Sequence, residues 1–193
     1  MTPRPEPGQP IPPGAKKVFT GVLFDVYQWE QEQFDGSFAT FEKLKRADTV
    51  SVFPITEDGK ILIVDDEQPG RKSVITFPGG RVEAGEDPAD AARRELMEET
   101  GYRAQELVLW RAYHPVSKLD WVLYHFIARG CKKVAEPHLD AGERITSKLV
   151  TLDELIDISD DARFQGIDLR LDFAKARLSS ESRAELEKEL FGT

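Results

Sequence analysis

Cysteine is nearly absent from this chain, with Cys131 the only one among 193 residues. That excludes an intrachain disulfide, a cysteine-built zinc site and a dithiol redox pair. Long apolar runs are missing too, none approaching the roughly 18 residues that a membrane-spanning helix needs. The first residues, MTPRPEPGQPIPPG, hold no apolar stretch, so no signal peptide is expected and a reducing cytoplasm is the expected compartment. Positive charge is in short supply: 26 Lys and Arg stand against 35 Asp and Glu, a formal net charge of −9. Nucleic acids and membrane surfaces are polyanions, so neither is expected as a partner. A small phosphorylated ligand stays open, because a divalent cation held by carboxylates reverses the sign of the field locally.

Proline is plentiful only at the start, where residues 1–14 carry six of the twelve. Residues 1–16 are therefore expected to be a disordered tail. Val18–Trp29 and Ser37–Arg46, rich in β-branched and aromatic residues, flank a turn at Asp35-Gly36 and make residues 17–47 a small β-subdomain. Residues 48–193 are the main domain. There Thr49–Thr56 and Lys60–Asp65 flank Asp58-Gly59, a hairpin signal, and Val74–Phe77 runs into Pro78-Gly79-Gly80. Asp87-Pro88 opens a helix, with Asp87 as N-cap and Pro88 at its first position. Gly101 closes it. Strands are expected at Glu106–Tyr113, Trp121–Arg129 and Ile145–Val150, and helices at Leu152–Ile158, Ile167–Leu178 and Ser182–Leu190. Strands alternating with helices point to an α/β fold, layered α/β/α around a mixed sheet.

The helix from Pro88 carries the chemistry. Glu95, Glu98 and Glu99 stand at i, i+3 and i+4, so all three project from one face. Like charges at that spacing cost about 0.2–0.5 kcal/mol, and acids in the last turns oppose the helix dipole. A solvated acidic face is the ordinary explanation of such a run, but here the helix would be more stable without it. A hard divalent cation accounts for the cluster, because Mg²⁺ takes oxygen ligands from a few carboxylates, waters and phosphates. Gly79-Gly80 lets backbone approach such a ligand. Glu86 is placed to fold back towards it, and Arg94 to hold a carboxylate in bidentate fashion.

Gly80, five residues, Glu86, seven residues, then Arg94-Glu95-Leu96-Met97-Glu98-Glu99-Thr100-Gly101-Tyr102 resembles the Nudix box with every specified position filled. The resemblance implies a Nudix α/β/α sandwich with a mixed β-sheet, plus an N-terminal antiparallel β-subdomain. It implies metal ligation by Glu95, Glu98, Glu99 and the carbonyl of Gly79, with Mg²⁺ as the cofactor and Mn²⁺ as an alternative. Arg94 orients the glutamates, and either Glu98 or Glu143 is the base for the water that attacks a pyrophosphate.

The Lys17–Arg46 strands resemble the N-terminal subdomain of the ADP-ribose and nucleoside diphosphate sugar pyrophosphatases, which is exchanged across a homodimer. By that likeness Phe41 stacks on the base, Glu42 meets its edge and Arg46 reaches the phosphates; a Phe41 facing the sheet interior is the plain alternative. Two departures stand out. Thr76-Phe77-Pro78 replaces Glu-Leu-Pro, and Asp66-Glu67-Gln68-Pro69 replaces a Gln-aromatic-Arg signature, leaving Arg71, Lys72 or Arg81 to meet the phosphates. Cleavage of ADP-ribose to AMP and ribose 5-phosphate is the expected reaction. The alternatives are a Nudix hydrolase of nucleoside triphosphates or dinucleotides, and a non-catalytic nucleotide sensor. His114, His125 and His138 show no metal-ligand spacing and are read as packing or surface residues, and Cys131 as inert.

Overall fold

The computed structural model describes residues 1–139, 141–166 and 168–192. Residues 1–14 hold no helix or strand. They are nevertheless tethered to the rest of the chain through Thr2, Arg4, Pro5 and Gln9, a departure from the disordered tail expected of their composition.

Three antiparallel strands follow, β1 (Lys16–Thr20), β2 (Asp25–Glu32) and β3 (Phe38–Lys45). The stretch Val18–Trp29, expected as one run, is split at Gly21, whose N–H donates to the Phe24 carbonyl at 2.9 Å. A Cβ at Gly21 would stand 2.9 Å from that same oxygen, so the tight turn needs glycine. A two-residue strand, β9 (Leu119–Asp120), pairs in parallel with β3 and joins this sheet to the main domain.

The second sheet contains β4 (Thr49–Thr56), β5 (Ile61–Glu67), β6 (Val74–Thr76), β7 (Tyr102–Arg103), β8 (Glu106–Tyr113), β10 (Leu123–Lys133) and β11 (Arg144–Val150). Its order is β11-β5-β4-β10-β7, with β6 added on β5 and β8 on β10. The β4–β10 pair is parallel and the others are antiparallel, so the sheet is mixed. Strand alternation then decides the layers. Val50, Val52, Tyr124 and Phe126 face Ala91, Ala92 and Leu96 of α1 (Pro88–Thr100). Phe53, Ile55, Ile63 and Ile127 face the opposite layer, made by α2 (Leu152–Ile158), α3 (Arg170–Leu178) and α4 (Ser180–Phe191). The α3 helix starts later than expected, at Arg170, and the Ile167 expected to open it lies outside the described residues. None of the described helices is long and apolar enough to cross a membrane.

Local chemistry sets the limits of α1. The Asp87 carboxylate accepts the Ala89 N–H at 2.9 Å, a cap that stabilises a helix by about 1 kcal/mol. Gly101, at φ +72°, ends the helix with its N–H on the Met97 carbonyl at 2.8 Å. Leu96, buried under β4 and β10, anchors the helix to the sheet, and Leu96→Ala there costs about 2–5 kcal/mol.

Candidate active site

Pro78-Gly79-Gly80 leaves β6 and runs alongside β4. Val52 N–H donates to the Pro78 carbonyl at 2.8 Å and Val50 N–H to the Gly80 carbonyl at 2.9 Å. The Gly79 carbonyl between them accepts no hydrogen bond among the described residues. A side chain at Gly79 would strike backbone, and one at Gly80 would displace the Glu95 carboxylate. A Cβ on Gly79 would lie 2.2 Å from the Val50 oxygen, and one on Gly80 would lie 2.4 Å from a Glu95 carboxylate oxygen. The glycines thus let the Glu95 carboxylate lie against backbone, while Gly79 N–H donates to Glu99 Oε2 at 3.0 Å.

Arg94 gathers the acids around it. Its guanidinium donates to both Glu86 oxygens at 3.0 Å, to Glu95 Oε1 at 2.8 Å, to Glu98 Oε2 at 3.1 Å and to the Arg81 carbonyl at 3.0 Å. Arg94 holds the Glu86 carboxyl below its usual range. Glu99 is pushed the other way, up to about 8, chiefly by burial, against the Gly79 N–H, and further by the charges of Glu95, Glu143 and Asp66. Burial likewise raises Glu95, and Arg94 only partly offsets it. The site is therefore short of positive charge at neutral pH. Among the described residues no three His, Cys, Asp or Glu side chains form a ready-made metal cage. Two desolvated carboxylates and a free carbonyl are nevertheless the donor chemistry of a hard divalent cation that keeps its other positions for water and phosphate.

These groups line a cleft of about 980 Å³ that also contains Arg81, Glu83, Asp66, Gln68, His138 and Glu143. Glu143 is thus brought near Glu95 and Glu99 by β11, although it stands more than forty residues away in sequence. Asp66, Gln68 and His138 were not singled out as site residues from the sequence. Asp66 lies one residue before the end of β5 and is pinned by Arg71 through one oxygen, while its Oδ1 is buried without a partner. His138 reaches the cleft because its backbone N–H donates to the Glu98 carbonyl at 2.7 Å, capping the last turn of α1. No motif marks either residue, since both places are set by how distant loops converge.

A second cavity, of about 660 Å³, adjoins the first along Ala47, Val82, Glu83 and Ala84 and is lined by Leu23, Phe24 and Arg46. The Arg46 guanidinium lies 5.8 Å from the Phe24 ring centre and 5.1 Å from that of Trp121. Burial, and then the charge of Arg81, lower its pKa. Among the described residues neither Arg46 nor Arg81 has an acidic partner. Phe41 and Glu42 are not brought to this chain's own cleft. Phe41 packs 6.1 Å from Trp29 with Lys118 Nζ 4.8 Å from its ring centre, and Glu42 accepts from Gln28 at 2.7 Å.

The remaining candidates have structural duties. His125 is buried with Nε2 2.6 Å from Asp168 Oδ2, which also accepts from Tyr113 at 2.6 Å. His114 lies 3.1 Å from the Pro5 carbonyl. Burial pushes the Cys131 thiol up to about 11, leaving it a poor nucleophile.

The model of the NUDIX domain matches residues 45–168. An ADP-ribose pyrophosphatase of Bacillus subtilis (strain 168) is 31% identical over 144 residues, covering 73% of this chain and 78% of that protein. A methanol dehydrogenase activator of Bacillus methanolicus is also 31% identical, over 145 residues and with the same coverage. Among solved structures, an ADP compounds hydrolase superposes with a TM-score of 0.67 at 22% identity, covering 79% of this chain and 84% of that one. That likeness concerns the fold.

Proposed function

The chain belongs to the Nudix family of hydrolases, and we propose that it is a Mg²⁺-dependent pyrophosphohydrolase of nucleoside diphosphate sugars, with ADP-ribose as the leading substrate. The observation that carries this reading is the meeting of desolvated carboxylates with unpaired arginines. Glu95 and Glu99 share the larger cleft with Arg81, and Arg46 stands in the cavity that adjoins it. A diphosphate between two organic halves satisfies both sets, since it bridges arginine donors and a cation in one group. Two relatives match this chain equally well and carry different names, so site chemistry rather than identity has to choose the substrate.

In this reading Glu95, Glu99 and the Gly79 carbonyl would hold the cation, and Glu98 would join them from its exposed side of α1. A bound divalent cation lowers the pKa of an attacking water and neutralises charge on the phosphates. Arg94 keeps the Glu95 and Glu98 carboxylates in place. Glu143, free of any hydrogen bond to Arg94, accepts the water proton. The new oxygen–phosphorus bond forms as the bridging phosphorus–oxygen bond breaks, and the bridging oxygen leaves on the second phosphate. ADP-ribose and water give AMP and ribose 5-phosphate.

The β1–β3 sheet exposes Phe19 and Phe38 at 58% and 64%, an apolar surface of the kind that marks an interface. We assign it to a second copy of the chain, which takes Phe41 and Glu42 to its own cleft. The net charge of −9 favours a small nucleotide over nucleic acid or membrane, and the single cysteine suits the cytoplasm. The test is a panel of sugar nucleotides, dinucleotides and triphosphates assayed with Mg²⁺. AMP release from ADP-ribose, abolished by EDTA, is expected; faster hydrolysis of triphosphates overturns the choice of substrate.

A further inference from the structure

The irregular segment before β1 does more than trail along the surface. Thr2 donates from its N–H and its hydroxyl to the Asp87 carboxylate, at 2.7 and 2.6 Å, where that carboxylate also caps α1. Arg4 donates through Nε to Asp48 at 2.8 Å and through Nη2 to Asp120, also at 2.8 Å. Further along, the Gln9 carbonyl accepts from buried Lys43 at 2.5 Å. The segment is thus a strap across the junction of the two sheets.

The two carboxylates that Arg4 bridges sit beside the arginines of the cleft. The Asp120 backbone carbonyl accepts the Arg46 N–H at 3.3 Å. The Asp48 carbonyl accepts the Val82 N–H at 2.9 Å, next to Arg81, and its carboxylate takes the Val122 N–H at 2.8 Å. Both acids are mostly buried, with side chains 18% and 12% exposed. Lys45, at 3.7 Å, also pairs with Asp120, and the charge of Lys43 acts on it from further off; Asp48 has no other salt-bridge partner among the described residues. Without the guanidinium, two like charges face each other at the seam beside Arg46 and Arg81, and Asp48 loses its cation. Arg suits the place because its planar fork reaches both carboxylates at once, which a lysine ammonium does less well.

We propose that Arg4 is a positioning residue for the reaction, clamping Asp48 to Asp120 so that Arg46 and Arg81 are held at the separation a diphosphate requires. This rests on the diphosphate reading of those two arginines. Arg4 also lines the 660 Å³ cavity beside Arg46, but its donors are taken up by Asp48 and Asp120 and it meets no glutamate of α1, so its loss weakens substrate binding and leaves those glutamates alone.

The experiment compares Arg4→Gln and Arg4→Lys with the parent enzyme, using ADP-ribose and Mg²⁺ well below the unfolding temperature. Arg4→Gln raises KM about 10-fold, equivalent to about 1.4 kcal/mol, with kcat within twofold and unchanged Mn²⁺ affinity by calorimetry. Arg4→Lys recovers part of the loss. Amide hydrogen exchange at Arg46 and Val82 quickens in Arg4→Gln, which reports the seam without activity. Should Arg4→Gln fail to fold, Asp120→Asn weakens the same bridge from its other end and gives the same KM rise. An unchanged KM, or a fall in kcat and Mn²⁺ affinity alongside it, overturns the inference. Arg46→Ala separates the two failures. If it leaves KM unchanged, the diphosphate reading is wrong; if it raises KM while Arg4→Gln does not, only the role of Arg4 is.

Discussion

The two sides of the cleft are built on opposite principles. On the α1 side, acids three and four residues apart are placed by one helix, whose limits are set by Asp87 and Gly101. On the other side, Arg46 follows the end of β3, Arg81 follows the glycine pair, and Phe24 comes from a turn between β1 and β2. The first side depends on local geometry and tolerates no shift within the helix. The second depends on a seam between two sheets, and on a strap that reaches it from far away in sequence. Loss of charge on the first side should therefore affect turnover, and loss on the second should affect binding.

The sharpest test of that division is Glu99→Gln. It should retain the fold and lower kcat by orders of magnitude at saturating Mg²⁺, because it removes a cation ligand without removing volume; near-normal turnover would falsify the assignment of that face. Glu143→Gln should lower kcat by about 10²–10⁴ with little change in KM, the range of a positioned acid–base group. Glu154→Gln is its control. That acid caps α2 at Thr151, so it affects stability rather than rate. An effect at Glu143 confined to KM transfers the role of base to Glu98.

On the binding side the effects are smaller. Arg46→Ala should raise KM about 10-fold, or about 1.4 kcal/mol, with kcat little altered. Phe19→Asp should shift the mass measured by light scattering from dimer to monomer and raise KM in parallel, since Phe41 and Glu42 act across the interface in this account. A parent protein that is monomeric at micromolar concentration contradicts it.

The same division governs what could be read from the sequence. The α1 helix, its caps and its acidic face were legible because they follow from spacings of three to seven residues. So were the β4–β5 hairpin and the mixed α/β layering, which alternation and Asp58-Gly59 signal. The strap was not legible. Its prolines and lack of apolar residues say that it builds no core, but its attachment is polar, through Asp87, Asp48 and Asp120. The break at Gly21 was missed because the flanking residues all favour strands and the turn is set by one backbone hydrogen bond. Asp66 and His138 reach the cleft only once the last residues of β5 run beside it and the β10–β11 loop docks on Glu98. The place of Phe41 beside Trp29 follows from cross-strand pairing with β2.

An effect on stability rather than on rate bears most directly on the central claim, that Glu99 is a desolvated carboxylate retained for a cation. Its pKa in the fold is about 8, against 4.5 for an ordinary glutamate. The fold thus favours the protonated form: its burial costs nothing below 4.5, and the cost grows as pH rises towards 8. Thermal unfolding of the parent and Glu99→Gln proteins in EDTA, at pH 5 and pH 8, and then with Mg²⁺ at pH 8, measures this. The account predicts that Glu99→Gln is the more stable protein in EDTA at pH 8, that the advantage shrinks at pH 5, and that Mg²⁺ raises the parent's Tm more than the variant's. A parent that is the more stable of the two in EDTA at pH 8, or an equal Mg²⁺ gain in both proteins, contradicts it.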